Sequence, residues 1–571
     1  MSDKHQLARL LEEIAFFLEL KGENPFKIKA YHTAARAIDK VDLDMAELAL
    51  KWDTVKGIGK TIGQQVEEFA ATGQLAYHEE LKVAVPPALF DLVKVPGLGP
   101  KKALVLYEKL GIASIGELEY ACRENRLKDL AGFGEKTQNK LLEGIEYVKK
   151  FQGRFLLCDA MPIAEKLAEF LRAHSFIDKV QVAGSIRRCM ETVKDIDIVV
   201  ASSQPERVSE AAAVMPGVQQ LLSQGPTKIS LQLITGMNLD IRIVPSEQFI
   251  GCLHHFTGSK EHHVQLRQLA KEQELKINEY GLTDSGGNVL AVASEEELYR
   301  RFGLPYITPE LREGRFEIEL ARRERLPELV CLNDIKGMFH AHTIYSDGTA
   351  GIADMARACK RKNWYYLGIT DHSQTAVYAR GLRVEAVREQ RREIARFNEQ
   401  NKDFCVLSGI ESDILPDGTL DYPDEILAEF DFVIASVHSA FRQSEADMTR
   451  RIKRALENKY VTMLGHPTGR ILLARQGYAV DLAAVIRSAG ETGTIVEINA
   501  NPYRLDLDWR FYQQAKSQGV LFAINPDAHA IDEIDHMAYG VSMARKGGLT
   551  AGDIVNTYER ADLGKILGRK R

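Results

Sequence analysis

Three rhythms of apolar and polar residues divide the chain. In the first, Leu7, Leu10, Leu11, Ile14 and Leu18 fall on one helical face, the spacing of an amphipathic helix. Helical patterning continues through residues 1–150, interrupted by three loops of related sequence, VKGIG (55–59), VPGLG (95–99) and LAGFG (130–134). From about 151 strand-like runs appear, including DIDIVV (195–200) and LDIRIV (239–244), and a mixed helical segment follows to about 318. The stretch ARRERLPELVCLNDIKG (321–337) is charged, contains proline and lacks periodicity, so it reads as an inter-domain linker. The last rhythm is seven short apolar runs separated by helical stretches: MFHAH, YYLGITDHS, FCVLSGIES, DFVIASVHS, VTMLGHPTG, TIVEINAN and VLFAINPDAH. Strands alternating with helices predict parallel βα units, here a barrel with one strand fewer than the common eightfold form.

A length of 571 residues predicts several domains, and 45% apolar with 27% charged residues is ordinary for globular protein. No apolar run approaches the ~20 residues of a membrane helix, and the polar start MSDKHQLARLLEE has no secretory pattern. Cysteines 122, 158, 189, 252, 331, 359 and 405 form no CxxC pair, so neither a disulfide framework nor a thiolate zinc site is suggested, and a reducing cytoplasm fits. A net charge of −6 excludes a uniformly basic nucleic-acid protein, so any DNA contact must use local basic patches and backbone amides.

The three loops supply such amides. Gly57/Gly59, Gly97/Gly99 and Gly132/Gly134 allow a tight turn and leave the next helix N-terminus open, where amides can hold a phosphate without reading sequence. The third loop is the least regular.

Asp195 and Asp197 stand two apart in a strand-like run, so they face the same way, and Asp240 lies in the second run. Three carboxylates on neighbouring strands can hold two magnesium ions for phosphoryl transfer. Upstream, GSIRR (184–188) offers a Gly-Ser turn, Gly184-Ser185, and Arg188 to a triphosphate.

In the last part, His340, His342, Asp347, His372, Glu411, His438, His466, Asp527 and His529 all sit at or just after ends of the apolar runs, where α/β barrels keep functional groups. The sixth run, ending Glu497-Ile-Asn499, supplies no clear ligand. Imidazole with carboxylate suits zinc, manganese or iron rather than calcium.

The pattern G-S-x-R-R-x6-D-x-D, then LDIR, then FTGSKEH (256–262), resembles the family X DNA polymerases within the nucleotidyltransferase superfamily. The resemblance implies a multidomain fold. A helical helix-hairpin-helix domain (1–80) and helical fingers with further hairpins (81–150) lead into an α/β nucleotidyltransferase palm (151–246) and a thumb (247–318). It assigns two Mg2+ or Mn2+ to Asp195, Asp197 and Asp240, nucleotide contacts to Gly184, Ser185, Arg188, His255, Phe256 and Gly258, and DNA-backbone contacts to the six loop glycines. Two positions depart from the pattern. His255-Phe256 stands where the family usually has Tyr-Phe beside the nucleotide sugar. The lysine of lyase-competent relatives is Gln65, whose amide cannot form an imine, so β-elimination by that route is not expected.

HAHTIYSDG and ITDHS resemble the first motifs of the PHP phosphoesterase family. A linker at 319–336 and a distorted (β/α)7 barrel at 337–571, with up to three Zn2+, Mn2+ or Fe ions, follow from that resemblance. By family pattern His340, His342 and Asp527 hold one metal, Asp347, His372 and His529 a second, His438 and His466 a third, with Glu411 bridging, for attack of a metal-activated water on phosphorus. A family X core before a PHP barrel resembles, over the whole chain, the bacterial and archaeal DNA polymerase X proteins. That implies gap filling in base-excision repair on gapped or primer–template duplex DNA with dNTPs, and 3′-5′ exonuclease or 3′-end processing in the barrel. Cleavage at abasic sites, credited to relatives, is carried as an expectation. So are a monomer and a cytoplasmic, nucleoid-associated setting with no membrane contact. Three rivals stand beside this reading: a small-molecule phosphatase on a DNA-binding module, a non-catalytic polymerase scaffold, and a purely structural barrel.

Overall fold

The computed structural model describes residues 4–568 apart from 22, 42, 85, 87, 88, 90, 91, 129 and 150–152. It divides into two compact units, Met1–Val148 and Lys149–Arg571.

The first unit is helical throughout its described elements. Leu7, Leu11, Ile14 and Leu18 of the helix Lys4–Leu20 are fully buried and Leu10 packs at their margin, as a single apolar stripe requires. The three glycine loops share one construction. Ile58, Leu98 and Phe133 are buried, while the glycines on either side are exposed. Their amides donate to Val55, Val95 and Leu130 carbonyls at 3.2, 3.0 and 3.0 Å. Gly57, Gly97 and Gly132 have φ of 108°, 88° and 87°, a conformation that a Cβ disfavours. Gly59, Gly99 and Gly134 each lead directly into a helix, Lys60–Thr72, Pro100–Leu110 and Glu135–Lys149. The loop expected to be least regular repeats the geometry of the other two.

In the second unit the helix Leu157–Arg172 leads into a five-stranded sheet in the order Lys179–Val182, Asp195–Ala201, Asn238–Val244, Lys228–Leu233, Val218–Gln224. Asp195–Ala201 and Asn238–Val244 run parallel; the other neighbours are antiparallel. Ile196, Ile198, Leu239 and Ile241 point into the core, so the intervening Asp195, Asp197 and Asp240 must emerge on the opposite face. Two helices, Phe249–Thr257 and Lys260–Glu272, then lead into a small antiparallel sheet and the helices Glu295–Arg301 and Glu317–Arg322.

The segment read as a linker over 319–336 opens inside the helix Glu317–Arg322 and then lies docked along the barrel. Val330 is fully buried in the barrel core and its amide donates to Leu549 O at 3.1 Å. Two apolar anchors, Val330 and Ile335, suffice for that docking and are too few to give a period.

All seven apolar runs become strands of one parallel sheet, in sequence order from Gly337–Met338 to Phe522–Asn525. Beyond the first and last strands, Ala341 pairs with Ala528, with His342 N donating to Ala528 O at 2.8 Å. On the other side of the sheet, the buried Asn556 side chain donates to Gly337 O (3.0 Å) and Ile524 O (2.8 Å) and accepts from Ile524 N (2.7 Å). These bonds bring the ends of the sheet together into a ring.

Candidate functional site

The parallel register sets Asp197 directly opposite Asp240, with Asp195 two residues away on the same face. Burial and the adjoining Asp195 and Asp240 charges push the Asp197 carboxyl up to about 7, the signature of carboxylates gathered for a cation. Asp240 is oriented by Lys228 Nζ at 2.8 Å and Ser230 Oγ at 2.6 Å from the neighbouring strand. Sequence reading missed both, since polar residues on a half-exposed strand are ordinary. Gly184 lies so close that a Cβ there would stand 2.1 Å from Asp197 Oδ2; only glycine leaves that carboxylate free.

Gly184 opens the short helix Gly184–Arg187, which carries half-buried Ser185. Arg188 follows it, donating through Nε to Glu313 Oε1 at 3.0 Å and through Nη1 to Thr257 O. Gly258 lies against the same guanidinium: a Cβ there would be 2.8 Å from Arg188 Nη1. Arg242 stacks over the Phe256 ring at 4.5 Å, and His255 stacks on His263 at 5.2 Å. All the predicted nucleotide residues thus lie on the segments next to the three aspartates. Gln65, in the first unit, is buried and donates to Tyr31 OH at 3.2 Å.

In the barrel the nine predicted ligands converge at one mouth. Glu411 is the hub. Its Oε1 lies 3.0 Å from His466 Nε2, 3.2 Å from His438 Nε2 and 3.5 Å from His340 Nε2; its Oε2 lies 2.9 Å from His372 Nδ1 and 3.7 Å from His342 Nε2. Asp527 Oδ1 faces His342 at 3.1 Å and His340 at 3.3 Å, while Asp347 faces His529 at 3.4 Å and His372 at 3.6 Å. Among the nine, donor atoms within 4.8 Å of one another form three overlapping groups: His340, His342, Asp527; His342, Asp347, His372, His529; and His372, Glu411, His438. His342 and His372 are thus shared between groups, and His466 reaches the cluster through Glu411. His466 and Asp527 adopt φ of 22° and 54°, uncommon backbone for such residues and typical of functional sites.

The donor set fits divalent ions. His340 Nε2, His342 Nδ1, His372 Nδ1 and Glu411 Oε2 are buried and crowd one another without a well-formed hydrogen bond, which would be costly unless a cation meets them. Burial opposes charge on His340, yet Asp527, Glu497 and Glu411 outweigh it and hold the imidazole well above its ordinary value. His372 is likewise lifted against burial by Asp347 and Glu411, to about 10. Protons thus balance the carboxylates in this arrangement, and bound metals would displace them.

The sixth strand has its own role. Glu497 is fully buried and accepts from His340 Nδ1 at 2.7 Å, leaving Nε2 for the cluster. Asn525 and Asn499 donate to Glu497 at 3.0 and 3.2 Å, and Asn499 also to Asp527 at 3.1 Å. Asp413 supports His438 Nδ1 at 2.6 Å in the same way. Such outer carboxylates fix the tautomer of a metal-binding histidine. A glutamate inside an apolar strand was the one sequence signal of this role.

The chain is similar to known proteins in both halves. Residues 2–75 match a helix-hairpin-helix domain and 90–146 a SAM-like helix-hairpin-helix tandem. Residues 252–313 match the DNA polymerase beta thumb and 339–501 the PHP domain. The chain is 42% identical over 569 residues to the DNA polymerase/3′-5′ exonuclease PolX of Bacillus subtilis (strain 168), covering 99% of each. A probable phosphatase of Thermoanaerobacter sp. (strain X514) is 29% identical over 238 residues, 40% of this chain and 91% of that one. DNA polymerase lambda of Rattus norvegicus is 24% identical over 291 residues, 46% of this chain and 48% of that one.

Proposed function

The chain belongs to the DNA polymerase X family, family X polymerases with a C-terminal PHP domain, and on that premise we propose that it fills short gaps in DNA during repair and trims 3′ ends with its barrel. Its main support is the pairing of Asp197 with Asp240 beside Asp195, a carboxylate face with no structural need to exist.

In the palm, Asp195, Asp197 and Asp240 hold two Mg2+ or Mn2+. Gly184, Ser185, Arg188, His255, Phe256 and Gly258 receive the deoxynucleoside triphosphate, with Arg188 on its phosphates. The six loop glycines and the helix N-termini behind them grip the DNA backbone of gapped or primer–template duplex. In the barrel, the nine ligands hold up to three Zn2+, Mn2+ or Fe ions. When bound, such ions polarise the phosphodiester and lower the pKa of water. Glu497 and Asp413 keep His340 and His438 in the ligating tautomer. The buried amide of Gln65 gives no route to lyase chemistry through an imine. Each cluster is complete within one chain, so a monomer suffices. No helix among the described residues is long and apolar enough to cross a membrane, and a DNA substrate places the work at the nucleoid.

The test uses a 5′-labelled primer on a one-nucleotide-gapped duplex, with and without dNTPs, for wild type, Asp195→Ala and His340→Ala. Extension lost only in the first variant and shortening lost only in the second support the two-site reading. No extension by wild type would leave a DNA-docking scaffold, and shortening by His340→Ala would remove the nuclease from the barrel. The likeness of the barrel to probable phosphatases favours a second activity on phosphomonoesters, which a 3′-phosphate-terminated primer would report.

A further inference from the structure

The barrel reaches into the polymerase half through one buried ammonium. Lys546 ends the helix Met537–Lys546 of the barrel and is 1% exposed. Its Nζ donates to Glu313 Oε1 at 2.5 Å, Arg188 O at 2.9 Å and Glu310 O at 3.4 Å, and it lies 4.8 Å from the face of Trp509. All three N–H donors are therefore spent on the segment that carries Arg188 and on the 310–313 segment beside it. Around this pin, Arg510 of the barrel donates to Glu191 at 3.1 Å and Arg545 to Glu310 at 2.8 Å.

The same Glu313 oxygen also accepts from Arg188 Nε at 3.0 Å. One carboxylate thus serves two cations. If Lys546 were neutral, the full charge of Glu313 would fall on Arg188, and an incoming triphosphate would have to compete with a one-to-one buried ion pair. With Lys546 present the trio carries a net positive charge, and Arg188 keeps attraction for phosphate. Its Nη2 makes no hydrogen bond among the described residues, and the bare Gly258 lies alongside.

We propose that Lys546, a residue of the phosphoesterase barrel, is a positioning residue for the polymerase: by sharing Glu313 it keeps Arg188 placed and available for the triphosphate. The proposal rests on the reading of Arg188 as a nucleotide contact. It implies that the barrel contributes to polymerisation without touching the nucleotide.

The experiment is steady-state gap filling by the full-length chain, reading kcat and KM for dNTP separately, with 3′-5′ shortening measured on the same preparations. Lys546→Met should raise KM for dNTP ~10-fold, move kcat less than ~3-fold and leave shortening unchanged. Glu313→Gln should leave KM unchanged or lower it. In the double variant Glu313→Gln should reverse most of the Lys546→Met defect, a non-additivity that general loss of stability would not produce. If Lys546→Met does not fold, the double variant removes both charges together and is the better-tolerated form; its KM should lie within ~3-fold of that of Glu313→Gln alone. An unchanged KM in Lys546→Met, or a rise of more than ~3-fold in Glu313→Gln, overturns the proposal. Arg188→Ala is the control: if it leaves KM unchanged, the assignment of Arg188 to the nucleotide fails, whereas a raised KM there with normal Lys546→Met kinetics rejects only the role of Lys546.

Discussion

Asp197 and Asp240 face each other as a register pair on adjacent parallel strands, and Asp197 is raised to about 7 by burial and by the charges of Asp195 and Asp240. A carboxyl held above its ordinary value binds a proton in the folded chain that the unfolded chain has already released. Metal-free protein should therefore lose stability as pH rises from about 4 to about 7, by a few kcal/mol at most. Thermal melting in EDTA from pH 5 to pH 8 should show a higher Tm for Asp197→Asn than for wild type at the alkaline end, with the gap closing at pH 5. Equal melting at both ends would mean that the three carboxylates do not repel.

The same residue should separate the two activities. Asp197→Ala is expected to reduce primer extension by at least ~10³-fold while primer shortening stays within a factor of about two. Loss of both together would point to global damage rather than a missing metal ligand.

Glu497 supports the cluster from outside, accepting from His340 Nδ1 at 2.7 Å and from the His466 backbone amide at 2.7 Å. Glu497→Gln should cost ~10–100-fold in shortening activity and in affinity of the barrel for Mn2+ or Zn2+, the range seen for outer-shell partners. Extension should be untouched. Metal content by mass spectrometry after dialysis checks the cause: a normal metal load with low activity would assign Glu497 to substrate instead.

Glu411 addresses five imidazoles at once. Glu411→Ala should empty more of the centre than Asp347→Ala, whose carboxylate faces fewer imidazoles. Metal-to-protein ratios of the two variants, measured side by side, decide this. A higher residual ratio in Glu411→Ala would move the hub elsewhere.

The hairpin glycines differ in what they need. Gly97 has positive φ, so Gly97→Ala should cost ~1 kcal/mol or more in stability. Gly99 has ordinary φ and a Cβ there would meet nothing within 4 Å. Gly99→Ala should melt like wild type yet bind gapped DNA several-fold more weakly at low salt, as a methyl group would intrude on the face that meets phosphate. Unchanged DNA affinity would remove this loop from the interface.

Much of this is legible in the sequence alone. Parallel strands read as apolar runs because both faces are covered, and their ends carry the chemistry, so His340 through His529 could be gathered from sequence. The alternation in DIDIVV and LDIRIV likewise put three aspartates on one face. Register was not legible: nothing in the sequence pairs Asp197 with Asp240 rather than with Asn238. Supporting groups were hidden for another reason. Lys228, Ser230 and Asp413 are ordinary residues until a neighbouring strand shows what they touch. Lys546 reads as the cationic end of a helix, and only long-range packing buries it. The strap through Val330 gave no period because two anchors make none.

The bridge between Ala341 and Ala528 has a consequence for how the barrel stays shut. Ala341 stands between His340 and His342, and Ala528 between Asp527 and His529. The two segments that meet there are thus fastened by a backbone bridge and by four side chains that would grip the same ions. The ions are then the clasp of the ring as well as its chemistry. Stripping them should loosen the amides of His342 and Ala528 to hydrogen exchange before any other strand junction, while the opposite end, stitched by Asn556, holds.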